Sequence, residues 1–207
     1  MTEKVIGASR DQVRGRTGRR RVIGASIAVL VAAVAVLWIV GRLPGAPMRA
    51  GPLEGTNFEN LRARIRPGDT GMLWGSLVLH NPTRDDIVLD KVSLADNPQK
   101  IKPSAGPYIW DETRVALLDT GAVSGYQMPL PSTWKLPVKH PVEGFTIPPQ
   151  DDDGSVEVLY EFPAPETATT VKGISVRYRT AGMIYRKTFD VTLTMCAVAD
   201  PEPCDQG

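Results

Sequence analysis

The chain has 207 residues, with 24 Lys and Arg against 23 Asp and Glu and a formal net charge of +1. That balance argues against nucleic-acid binding through bulk positive charge, and two histidines with two cysteines leave little for a zinc centre or a histidine-based catalyst. The charge is unevenly spread, however, and its distribution is informative.

Residues 1–21 carry Lys4, Arg10, Arg14, Arg16, Arg19, Arg20 and Arg21 against Glu3 and Asp11. Directly after them come nineteen uncharged residues, Val22 to Val40. At about 1.5 Å per helical residue this run reaches roughly 28 Å, close to the hydrocarbon thickness of a bilayer. The segment 22–41 is therefore expected to be a transmembrane helix, preceded by a basic cytoplasmic arm at 1–21. Only Arg42 and Arg49 lie just beyond it. The positive-inside bias then places the N-terminus in the cytoplasm and the rest of the chain outside, with Trp38 at the outer interface. A cleaved signal peptide has an apolar core of only about 7 to 15 residues and a small-residue cleavage site. Met48-Arg49-Ala50 is a poor match to such a site. Gly18-Arg19-Arg20-Arg21-Val22-Ile23 also fits a relaxed twin-arginine export pattern, so export with cleavage stays open as an alternative. Gly24, Ala28 and Ala32 recur every four positions, a spacing that suits a helix–helix seam and hence a homodimer within the membrane.

Residues 42–57 contain Gly41's neighbours Pro44, Gly45, Pro47, Gly51, Pro52 and Gly55 and suggest a stalk. The remaining 150 or so residues, 58–207, suffice for one domain with its own core. Apolar spacing from residue 71 onward is two, the period of strands. Met72 to His80 is apolar on both faces, as a central strand would be. A turn at Asn81 to Asp85 leads to Ile87–Leu94, where the apolar phase slips from Ile87 and Leu89 to Val92 and Leu94; a bulge at Asp90-Lys91 accounts for that. Short strands are expected at 108–110, 114–118 and 144–147, and an edge strand within 58–65. Ser155–Phe162 alternates like a half-buried strand. Gly173–Arg179 and Tyr185–Met195 alternate as well, joined by Thr180-Ala181-Gly182, and should form an antiparallel hairpin. Cys196 and Cys204 end the last strand, close enough to clasp the tail by a disulfide.

Together these elements predict an all-β fold, an antiparallel β-sandwich after one N-terminal transmembrane helix. The segment Ser76 to Thr83, followed by Ile87 to Val92, resembles the first hairpin of immunoglobulin-like modules, and the whole is similar to membrane-anchored Ig-like β-sandwich proteins of high-GC Gram-positive bacteria. The resemblance spans roughly residues 70–195. It implies an Ig-like scaffold and brings no functional residue with it, since the inter-sheet cysteine pair of antibody domains is missing.

Chemical motifs are sparse. The chain lacks a G-x-S-x-G elbow, an H-E-x-x-H pair and a phosphate-binding glycine loop. Asp151-Asp152-Asp153-Gly154 lacks the alternating order of a calcium loop and fits a solvated turn. A carboxylate enzyme would need two of Asp111, Glu112, Asp119 and Glu161 to converge. No catalytic residue, metal or cofactor is assigned. The segment Thr120–Glu143 has no regular period and carries Tyr126, Met128, Leu130, Trp134 and Leu136 among four prolines. Long irregular connections of this kind serve as binding loops or as covers over an open end of a sandwich. The expectation is a single-pass, non-catalytic binding module of the cell envelope that meets a protein or envelope partner through this segment. The alternative is an accessory subunit assembled through its transmembrane helix.

Overall fold

The computed structural model describes residues 29–37, 48–57, 60–110, 125–133, 136–150, 156–199 and 204. The chain divides into two compact units, Met1–Pro47 and Met48–Gly207. In the first, residues 29–37 are helical and exposed, Ala32 among them. No helix among the described residues is long and apolar enough to cross a membrane. Gly24, Ala28 and the rest of the expected span lie outside the described residues.

The second unit is all-β. One sheet runs β1 (Glu54–Asn57), β3 (Gly71–His80), β9 (Val156–Pro163), β5 (Ala105–Trp110) and β7 (His140–Pro141), with β6 (Gly125–Met128) also paired to β3. The other runs β2 (Leu61–Arg64), β11 (Met183–Cys196), β10 (Thr169–Thr180), β4 (Ile87–Asp96) and β8 (Thr146–Ile147). The expected hairpin is present, with Thr180 opposite Met183 and Thr169 opposite Met195.

Alternation aims one face of each sheet at a shared core. Trp74, Leu77 and Leu79 of β3 and Val158, Tyr160 and Phe162 of β9 meet Leu89, Val176, Tyr178, Val191 and Leu193 of the second sheet in a single apolar cluster. Trp74, Tyr160 and Phe162 lie within about 6 Å of one another, ring to ring. Aromatic groups of this size carry much of the burial energy of a small domain. The disulfide Cys196–Cys204 closes the end of β11, with Cα atoms 6.1 Å apart.

The bulge anticipated in β4 is there: Lys91 pairs with Arg177 but Leu89 with Tyr178, so Asp90 is the extra residue. A second slip, not anticipated, falls between Trp74 and Leu77 of β3, and it keeps both on the inner face despite their odd spacing. Four expectations need correction. Residues 48–57 belong to the folded unit: Leu53 is fully buried and Glu54–Asn57 pair with β3, so the stalk cannot extend to 57. Strand β2 runs parallel to β11, so the arrangement is not wholly antiparallel. Strand β9 is buried on both faces over most of its length, Glu157 and Leu159 included, because it lies between β3 and β5 with further cover outside. Finally, Thr120–Glu143 is not irregular throughout, since β6 and β7 fall within it. The expected strand at 114–118 lies outside the described residues.

Candidate functional site

Register explains why three of the five singled-out side chains come together. Tyr126 stands opposite Leu73 and Met128 opposite Gly71, which puts Tyr126 on the face of the first sheet that points away from the main core. Leu73, Tyr108, Trp110 and Leu159 share that outer face and form a second buried cluster, with Tyr126, Met128 and Leu130 packed on it and themselves half-buried. Leu136 and Val138, further along the chain, are exposed at 43% and 69%. Trp134 lies outside the described residues.

A polar anchor borders the cluster. Glu161 accepts a hydrogen bond from the Tyr108 hydroxyl at 2.9 Å and an ion-paired one from Lys139, whose ammonium also sits 4.5 Å from the Tyr108 ring centre. Burial pushes the Glu161 carboxyl upward, but the bonds from Lys139 and Tyr108 outweigh it and hold the group below its ordinary value. Glu161 is thus kept as a charged fastener between β9 and the segment before β7, a poor condition for a general acid. Asp111, Glu112 and Asp119 lie outside the described residues, as does Asp151–Gly154. Among the described residues no group of acidic, His or Cys side chains has the spacing of a metal site.

Between β2 and β6 runs a cleft of about 870 Å³, floored by Met72 and edged by Leu61, Ala63 and Tyr126. Gln127 faces the opposite way from Tyr126 and its amide donates to the Arg64 carbonyl at 2.7 Å, tying the edge of one sheet to the edge of the other. His80 and His140 are strand residues, the latter packed 5.6 Å from the Phe145 ring.

Two side chains that sequence alone did not mark hold this frame. Asn81 is fully buried and its amide donates to Asp85 O and Ile147 O at 3.0 and 2.9 Å, while its oxygen accepts from the Thr83 backbone and hydroxyl. Tyr178 accepts from Leu53 N–H at 3.0 Å and donates to Ala50 O at 2.8 Å, stacked on Tyr185. The buried Asn-x-Thr turn was readable as a turn, but not its depth; Tyr178 was readable as core, but not the partner 125 residues away.

No protein-family model matches the chain, and no curated protein matches it in sequence. Among solved structures, it is similar at a TM-score of 0.31 and 10% identity to a Vibrio cholerae protein described as VesB protease, over 70% of this chain and 32% of that one. The chain thus spans about a third of that protein's length. A likeness this low bears on neither fold nor function.

Proposed function

We propose that the chain is a single-pass, membrane-anchored binding module of the cell envelope without catalytic activity, its basic N-terminus cytoplasmic and its β unit outside. Residues 22–41 would form the anchor and the two sheets an Ig-like β-sandwich. The observation that carries this reading is the outer-face cluster bearing Tyr126, Met128 and Leu130, followed in the chain by the exposed apolar side chains Leu136 and Val138. A strand-mounted apolar surface, rigid below and open above, has the make-up of an interface core, where aromatic and Met side chains are enriched and charges depleted. The closed disulfide supports an oxidising compartment. Partner capture by such a surface needs no chemistry, only shape and desolvation.

The test is crosslinking in intact cells followed by mass spectrometry, comparing the natural chain with a Leu136→Ser, Val138→Ser variant. These two side chains are exposed, so the fold should survive their replacement. Crosslinked partners should disappear in the variant while membrane yield and melting temperature stay the same. An unchanged set of partners would reduce this surface to a cover over the sheet.

A further inference from the structure

The outer face of the second sheet carries a charge arrangement that its own folding does not call for. Arg177 of β10 stands directly opposite Lys91 of β4 on one side and Arg186 of β11 on the other. Three cations therefore form one row across three hydrogen-bonded strands, about 10 Å end to end at the usual spacing between strands. Like charges placed directly opposite each other destabilise a sheet. The next row on the same face is Ser93, Ser175 and Thr188, again aligned by register, so three hydroxyls lie beside three cations. All six line one shallow depression of about 470 Å³.

Internal neutralisation is incomplete. Asp90, thrown outward by the β4 bulge, accepts from Arg179 at 2.8 Å and lies 3.6 Å from Arg177 Nε. That nitrogen has lost its water and has no hydrogen-bond partner. Among the described residues no carboxylate pairs with Lys91 or Arg186. The adjacent pair on the same face, Lys172 opposite Asp96, shows that the sheet elsewhere balances its charges by register.

We propose that this row is a binding site for a soluble chain of phosphate groups. Arginine guanidinium groups bind phosphate oxygens with two parallel donors, and neighbouring hydroxyls supply further donors. The open, linear floor suits an extended polyanion lying across the strands better than one phosphate, which could reach only part of the row. The site is on the opposite sheet from the apolar cluster, and the two readings stand or fall independently.

The experiment is calorimetric titration of sodium tripolyphosphate into the full-length chain in neutral detergent at low ionic strength. Each of Lys91→Gln and Arg186→Gln should weaken binding about tenfold, the size of one charge-assisted hydrogen bond. Lys91→Arg should keep the affinity, and the glutamine variants should melt no lower than the natural chain, since each removes a like-charge contact. The arm at 1–21 is also basic, so a variant with Arg19, Arg20 and Arg21 changed to Gln serves as reference; the row's binding should persist in it. Binding that vanishes in the arm variant, or is equal in the natural chain and the Lys91→Gln, Arg186→Gln double variant, would overturn the site. Repeating the titration in nanodiscs separates the sources of phosphate. Equal affinity in zwitterionic and phosphatidylglycerol-containing discs is expected, whereas loss in the anionic discs would overturn the soluble chain in favour of lipid headgroups.

Discussion

Tyr178 shows how one hydroxyl can fix where the folded unit begins. Its ring is buried in the core while its oxygen serves two backbone groups of the entering segment, Leu53 N–H and Ala50 C=O. Lys187 reinforces the clamp by donating to Leu53 O at 2.7 Å. Replacing Tyr178 with Phe keeps the packing and orphans both backbone groups, so a loss of about 1–3 kcal/mol is expected in urea unfolding at neutral pH. Burial raises the phenol, the Leu53 hydrogen bond opposes the rise, and nearby Tyr185 adds to it, leaving the group at about 12 against an ordinary 10.0. The folded state therefore keeps a proton that the unfolded chain has already lost. The stabilisation is complete below the unfolded value of 10.0 and falls away as pH rises toward about 12. Unfolding curves of the natural chain and Tyr178→Phe should accordingly converge through that alkaline window. A constant gap across it would mean that the hydroxyl is not what ties the segment down.

At the scale of elements, Gly71 is where β3 takes on two partners at once, Met128 of β6 and Pro163 of β9. It sits at φ 156°, and a Cβ there would come within 2.0 Å of the Phe162 carbonyl oxygen. Gly71→Ala must push β9 away from β3, so the expected loss is about 3 kcal/mol or more, with faster proteolysis around β6. A variant as stable as the natural chain would show that the strands part easily at this end. The same strands show what sequence could and could not disclose. Strands β3, β4, β10 and β11 were legible because side chains such as Ile174, Val176 and Tyr178 alternate cleanly, and the Asp90 bulge was legible because it breaks that alternation. The slip at Gly75-Ser76 leaves the same mark, Trp74 to Leu77, but apolar residues on both sides of β3 hide it. Strand β6 was illegible for another reason: Gly125–Met128 is short, and what makes it a strand is the free edge of β3, a long-range partner that no local pattern encodes. The expectation of a binding role for it came from composition alone, through Tyr126 and Met128, while the cation row needed register: Lys91 lies far in sequence from Arg177 and Arg186, and the three meet only once three strands are aligned.

For the molecule as a whole, anchorage and compartment can be decided together, because the two ends of the chain report on them separately. The seven cations of residues 1–21 and the uncharged run that follows argue for an inside N-terminus, while the Cys196–Cys204 bond argues for an oxidising surrounding at the other end. Between them, residues 42–47 hold Pro44, Gly45 and Pro47 ahead of the first described residues of the β unit, so this is where a protease should find the chain easiest to cut. Cells expressing the full chain with an epitope at each end would be treated with protease before lysis and the fragments followed by blotting. The C-terminal epitope should be released on a fragment of the size of residues 48–207, and the N-terminal epitope should stay protected and resist alkaline extraction from membranes. Thiol labelling of the released fragment without reductant should find neither cysteine. Protection of both epitopes would place the β unit inside and remove the basis for an envelope partner. A mature chain shorter at its N-terminus and extractable without detergent would instead make Arg19-Arg20-Arg21 an export signal, with the β unit delivered folded and then freed.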